Sequence, residues 1–208
     1  MAAPPDASIK TLSGTWVLDK KLSDDPDAAF KLQGLGWLTR KAISVATINT
    51  EFTQFTETDI NTSTPIVHLT AHQSAAGGAG GTTETRVLDW VDRPHTDRIF
   101  GNAVVRSRFV DGVDDGNGNI RPDLDLQTVG SDGSFLKETL SAGGEKVDED
   151  LSSLFIQDYI VSSDGGWTAE QIWAFEFIDG ERFLTRRALL SNGSKSMPTR
   201  VIYRFVKR

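Results

Sequence analysis

The chain has 208 residues, 22 of them Lys or Arg and 29 Asp or Glu, for a net charge of −7. That is length for one domain with a sizeable core but not for two, and an acidic balance without a long basic run argues against nucleic acid as a partner. Cysteine is absent, which removes disulfides, thiolate nucleophiles and cysteine metal sites, and fits a reducing compartment.

The opening residues Met-Ala-Ala-Pro-Pro-Asp-Ala-Ser have neither a basic n-region nor an apolar h-region. No later run is long enough to span a bilayer, so a cytoplasmic protein is expected. Residues 1–8, with Pro4-Pro5, read as a flexible tail, and a single domain is expected over 9–208. Leu12, Gly14, Trp16 and Leu18 alternate with Ser13, Thr15, Val17 and Asp19, the period of a short strand that turns Trp16 to one face as a core residue.

Two helices follow, over about 25–46. Ser23, Asp24 and Asp25 offer N-cap side chains, and Pro26 suits the first helical position, where a missing N–H costs nothing. Gly34 can take the left-handed conformation that ends a helix. Trp37, Leu38, Ala42, Val45 and Ala46 then recur at helical spacing. The pair reads as a lid.

From Ile48 onward the period changes to two. Turn signals interrupt it at Gly77 to Gly81, Asp111-Gly112, Ser131-Asp132-Gly133, Ala142-Gly143-Gly144, Asp164-Gly165-Gly166, Asp179-Gly180 and Asn192-Gly193. About ten strands result. The fold class expected is mainly β, a closed antiparallel up-and-down barrel with a two-helix lid after the first strand.

The strand after Gly166 puts Trp167, Ala169, Gln171, Trp173, Phe175 and Phe177 on one face, which is expected to point inward. Gln171 among aromatics needs a partner, because an unpaired buried amide costs about 1–3 kcal/mol. That partner is a ligand, a water or another side chain. The preceding strand groups Phe155, Gln157, Tyr159 and Val161, so Gln157 and Tyr159 are expected to meet Gln171 across the hairpin.

Gly14-Thr15-Trp16, the capped helix at Asp25-Pro26, and the Gly34/Gly36 break before Arg40-Lys41-Ala42 resemble the opening of the intracellular fatty-acid-binding proteins, a branch of the calycin superfamily. This chain is longer, with its surplus after Ala75 and Asp111. The resemblance implies that a small apolar ligand is held inside the barrel. Thr199-Arg200-Val201-Ile202-Tyr203-Arg204-Phe205 is similar to the family's closing strand, whose Arg and Tyr two apart hold a carboxylate. Here Arg200 and Tyr203 are three apart, so without a bulge either Tyr203 or the arginines face inward. Leu184-Thr185-Arg186-Arg187 resembles a strand with a second cavity arginine, Arg186 being the matching position. Arg106 and Arg108 are further candidates, although Ala103, Val105 and Phe109 form the more core-like face of their strand.

Several other patterns lead nowhere. Asp89 to Arg98 gathers acids, bases and His95 at a charged turn, and His68 and His72 lie about 13 Å apart at strand rise, too far to share a metal. Asp115-Gly116-Asn117-Gly118-Asn119 starts like a calcium loop but has Leu126 where a bidentate Glu belongs, so no metal is expected, and no motif calls for a cofactor. The chain reads as a binder of a small lipophilic molecule carrying a carboxylate or carbonyl, with Gln157, Tyr159, Gln171, Trp173, Phe175, Arg186, Arg200 and Tyr203 around it. Transient membrane contact through Arg40-Lys41 of the lid is expected to be weak and salt-sensitive. The alternative is a cofactor-free enzyme that cyclises, isomerises or hydrates such a molecule, with Tyr159, Gln171 and Tyr203 as donors.

Overall fold

The computed structural model describes residues 1–75, 81–128, 133–141, 150–193 and 195–208. In chain order its elements are β1 (Gly14–Leu18), α1 (Asp27–Leu32), α2 (Trp37–Val45), β2 (Ile48–Thr58), β3 (Pro65–Ala75), β4 (Gly81–Val87), β5 (Arg93–Asp97), β6 (Gly101–Val110), β7 (Gly112–Asp114), β8 (Asn119–Pro122), a 3-10 turn (Ser134–Lys137), β9 (Leu140–Ser141), β10 (Phe155–Ser162), β11 (Thr168–Ile178), β12 (Glu181–Asn192) and β13 (Lys195–Lys207). Ten strands form one sheet in the order β4-β3-β2-β1-β13-β12-β11-β10-β6-β5, each pair antiparallel. The sheet curls into a nearly closed barrel, with a seam where the edges β4 and β5 approach without joining. The expected turns at 77–80, 131–132 and 142–144 lie outside the described residues.

Local chemistry explains the boundaries. Asp25 accepts the Asp27 N–H at 3.0 Å and so serves the first turn of α1, although Pro26 stands outside it. At the other end Gly34 has φ +87°, its N–H bonds the Lys31 carbonyl and that of Leu35 bonds Phe30, the double hydrogen bond of a Schellman stop. Asp179 and Gly180 both have positive φ. This two-residue turn has the twist that keeps β11 and β12 paired from Ile178 opposite Glu181 up to Thr168 opposite Ser191.

Three apolar clusters order the interior and its surroundings. A floor cluster joins Trp16, Phe52, Leu69, Ile156, Trp173, Leu184, Val201 and Tyr203. Beneath α1, a lid cluster joins Ala29, Trp167, Ala169, Ala188 and Leu190. The third lies outside the barrel: Leu124, Leu136 and Leu140 pack on Phe155, Ile172, Ala174 and Leu189. The surplus after Asp111 is itself structured, since β7, β8 and β9 form a small second sheet whose segment covers the outer face of β10 to β12.

The N-terminal residues also differ from expectation. Instead of forming a tail, Ala3 and Ala7 are buried in the floor cluster, the Ala3 N–H bonds the Arg182 carbonyl, and the Arg182 guanidinium donates to the Ala7 carbonyl at 2.7 Å. Small side chains let this segment lie flat against the barrel end, which its prolines alone do not reveal. No described helix is long and apolar enough to cross a membrane.

Candidate functional site inside the barrel

Four adjacent strands repeat one pattern on their inner face. Ile156-Asp158-Ile160 on β10, Ala169-Gln171-Trp173 on β11, Leu184-Arg186-Ala188 on β12 and Met197-Thr199-Val201 on β13 each place one polar residue between the floor and lid clusters. Because side chains alternate with period two, these positions align into a polar band around the barrel's waist. Across from them β4 contributes Glu84 and Arg86, which pair in register with the floor residues Ala71 and Leu69. Thr50 on β2 stands opposite Gln73 on β3.

Asp158 anchors the band. Its fully buried carboxylate accepts from Arg86 Nε at 2.8 Å, Ser107 Oγ at 2.7 Å and Trp173 Nε1 at 2.8 Å. Arg86 thereby ties β4 to β10 across the seam, which is otherwise a cleft of about 20 Å³ lined by Arg86, His95 and Ser107, room for about one water. Its Nη2 donates to Glu84 at 2.6 Å, and Gln73 Nε2 donates to the other Glu84 oxygen at 2.8 Å. Burial alone would lower the pKa of the Arg86 guanidinium, but the two carboxylates outweigh it and raise that pKa. Burial likewise opposes a charge on Glu84, yet Arg86 and Arg186 hold its carboxyl below the ordinary glutamate value.

Trp173 is the platform of the site. The Arg86 and Arg186 guanidinium carbons lie 5.4 and 4.9 Å from its ring centroid, Tyr203 stacks on it at 5.7 Å, and Phe52 meets it edge-on at 5.6 Å. Cations over an indole face gain from its negative quadrupole, more so away from water. Burial pushes the Tyr203 phenol up, so it stays neutral and able to donate a hydrogen bond.

Among the described residues, five buried side-chain atoms lack a hydrogen-bond partner, and four belong to this interior: Thr50 Oγ1, Arg86 Nη1, Gln171 Oε1 and Arg186 Nε. Unpaired polar atoms are costly in a core and cluster where something else is to bind. Gln171 and Arg186 are diagonal neighbours, since Gln171 is opposite Ala188 and Trp173 opposite Arg186, a spacing that long side chains span.

Of the residues expected around the ligand, Gln171, Trp173, Arg186 and Tyr203 share this space. Phe175 also faces inward but belongs to the floor, between Trp16 and the Arg182 guanidinium. Gln157 and Tyr159 do not meet Gln171, because the register places Asp158 opposite it. They lie on the outer face instead: Gln157 donates to Glu170 and accepts from Arg108, both at 2.7 Å, and Tyr159 packs against the Arg106 guanidinium. Arg200 is outside too. No bulge interrupts the β12–β13 ladder from Asn192/Lys195 to Leu184/Tyr203, so Arg200 takes the face opposite Tyr203 and lies 3.6 Å from Glu176. Arg106 and Arg108 flank Trp90 outside the barrel.

Sequence reasoning missed Asp158, Glu84, Arg86 and Thr50. A lone polar position between Ile156 and Ile160 was the available signal for Asp158. Thr82 to Arg86 has no apolar face at all and reads as a solvated strand.

This fold is shared with fatty-acid-binding and lipid-binding proteins of known structure. Two solved structures align with it: a Schistosoma mansoni fatty-acid-binding protein in complex with arachidonic acid, at TM-score 0.53 and 12% identity over 96% of this chain and 99% of that one, and apo lipid binding protein 8 of Caenorhabditis elegans, at 0.52 and 12% over 97% and 99%. In sequence the chain is similar to a probable pericyclase, scpY, of Mollisia scopiformis, 25% identical over 205 residues, or 99% of this chain and 95% of that protein. It is also similar to the pericyclase pydY of an Acremonium species, 22% identical over 206 residues, covering 99% and 97%. No family model matches the chain.

Proposed function

We propose that the protein binds a small lipophilic, carbonyl-bearing substrate at the polar band and catalyses a cofactor-free pericyclic ring closure or rearrangement of it. The observation that carries this reading is the set of buried, unpartnered donors, Arg186 Nε and Arg86 Nη1, set over the Trp173–Tyr203 stack inside an aromatic enclosure. End-to-end similarity to two pericyclases supports the reaction class, and the fatty-acid-binding fold supports occupation of the barrel by a lipophile.

A pericyclic step redistributes bonds around one ring of atoms and leaves the composition unchanged. It needs no nucleophile, no redox partner and no net proton transfer. The protein contributes by holding the reacting ends in one folded conformer, whose entropy is then already spent, and by hydrogen-bonding a conjugated carbonyl as electron density moves toward its oxygen. Arg186 and the neutral phenol of Tyr203 are the donors for that oxygen, and Gln171 orients the group beside it. Simple carriage uses the same binding site without the second effect.

Incubation with conjugated polyenes bearing a carbonyl, followed by chromatography and mass spectrometry, tests the proposal. An enzyme yields a product of identical mass and new retention, and Arg186→Met slows its formation. Recovery of bound but unchanged ligand from every candidate would leave a carrier, and a product heavier by water would indicate a hydratase.

A further inference from the structure

The two arginines of the polar band are not equivalent. Arg86 donates Nε to Asp158 at 2.8 Å and Nη2 to Glu84 at 2.6 Å, so both carboxylates of the band sit on one guanidinium, and Nη1 is its buried, unpartnered group. Arg186 has no hydrogen bond or ion pair among the described residues; it lies 4.9 Å from the Trp173 ring centroid and 6.0 Å from that of Tyr203, with Nε buried. We infer that these are two unlike subsites for one substrate: Arg186 takes an oxygen that is ionised or gains negative charge, and Arg86 Nη1 takes a second, neutral carbonyl oxygen.

This deepens the proposed function and rests on its reading of the barrel as the binding site. The substrate class it names is a lipophile with two oxygen acceptors, one acidic or conjugated and one a neutral carbonyl. A guanidinium buried without a counter-charge is costly, and an anionic oxygen removes that cost. At Arg86 the same oxygen would be a third negative charge around one cation, beside Asp158 and Glu84, whereas a neutral carbonyl accepts from Nη1 without adding charge. The two groups are close enough to serve one ligand. The Arg86 guanidinium carbon is 5.4 Å from the same Trp173 centroid, and while burial raises the Tyr203 phenol's pKa, the charges of both arginines oppose that rise. Charge thus fixes which end of the ligand meets which wall, β12 for the acidic oxygen and β4 for the neutral one.

The test compares dodecanoate, 4-oxododecanoate and 6-oxododecanoate by calorimetry at about pH 8.5, where the acids are ionised. The proteins are the full-length chain and its Arg186→Met and Arg86→Lys variants, each confirmed folded by its denaturation curve. Wild type is expected to bind the better oxo acid about tenfold tighter than dodecanoate, the gain of a hydrogen bond from a charged donor. Arg186→Met should weaken all three by about tenfold or more and leave the preference for the oxo acid within about threefold of its wild-type value. Arg86→Lys keeps a cation between Glu84 and Asp158 but deletes Nη1, so it should abolish that preference and leave dodecanoate within about threefold. If Arg86→Lys does not fold, a crystal structure of the wild-type complex decides: a ketone oxygen within hydrogen-bond reach of Arg86 Nη1 supports the inference, and one beyond it refutes it. Oxo acids binding no tighter than dodecanoate, Arg186→Met sparing dodecanoate, or Arg86→Lys weakening dodecanoate as much as the oxo acid each overturn the inference while leaving the barrel a binding site. No ligand binding to folded wild type would remove the binding reading and the inference together.

Discussion

Replacing Asp158 by Asn should be among the most damaging conservative changes in this chain. The carboxylate is fully buried and accepts from three donors between 2.7 and 2.8 Å. Asn keeps one acceptor oxygen and turns an N–H₂ group toward the others, so one or two buried donors lose their partner at about 1–3 kcal/mol each. Removing one member of a buried ion pair costs about 3–5 kcal/mol, but Arg86 retains Glu84 at 2.6 Å, which moderates that part. Together about 3–5 kcal/mol is expected. For a domain of this size each kcal/mol lowers Tm by about 2–4 °C, a fall of roughly 6–20 °C. Urea unfolding followed by tryptophan fluorescence should show a lower midpoint at unchanged slope. A cycle with Arg86→Met then isolates the pair, with strongly non-additive losses expected. Destabilisation below about 1 kcal/mol, or additivity within about 0.5 kcal/mol, would show that Asp158 does not lock the seam.

The same reasoning applied to Gln171 has the opposite outcome: its Oε1 has no protein partner, so Gln171→Leu should change stability by less than about 1 kcal/mol yet weaken ligand binding or turnover in direct titration. Tyr203→Phe should lower turnover with little change in substrate affinity, and wild-type rate should hold flat through pH 9, because burial raises the phenol above its ordinary value; loss of rate below that pH would contradict a neutral donor. Glu84 has a folded pKa depressed from its ordinary value of 4.5, so its contribution is complete above that value and is lost as pH falls through the lower folded one. Acid unfolding midpoints should therefore depend less on pH below about 4.5 in Glu84→Gln than in wild type, and parallel curves would show that the Arg86 and Arg186 interactions do not stabilise the folded state.

The strand count, the helical lid and the inward face of β11 were legible because each rests on a local signal: glycine turns, a helix stop at Gly34, and alternation from Trp167 to Phe177. The face of β10 was not. Burial is nearly continuous along Phe155–Asp158, and the same holds over much of β11 and β12, because these strands are sandwiched between the barrel interior and the segment following Asp111. Where both faces are buried, period two no longer distinguishes in from out. The available choice was between Gln157 with Tyr159 and Asp158 alone, and the amide and phenol are the cheaper groups to bury unaided. Asp158 is inside because its three donors come from β4, β6 and β11, strands whose juxtaposition no local pattern announces.

The outer face shows the same principle from the other side. Glu170 is completely buried there, and its carboxylate accepts from the Gln127 and Thr128 N–H groups, the Thr128 hydroxyl and Gln157 Nε2. Glu176 similarly meets Arg187 and Thr185. Such networks fix the covering segment and the register of β10 to β12 beneath it, and of the five buried unpaired side-chain atoms among the described residues only Arg106 Nε lies on this outer side. Inside, one residue further along the same strands, Gln171 and Arg186 keep atoms unpaired. Polar burial alone therefore does not identify the site, since both faces have it. The distinction lies in what remains unsatisfied: four of the five unpaired buried atoms among the described residues lie at the waist of the barrel around Trp173, and the proposed site rests on that concentration.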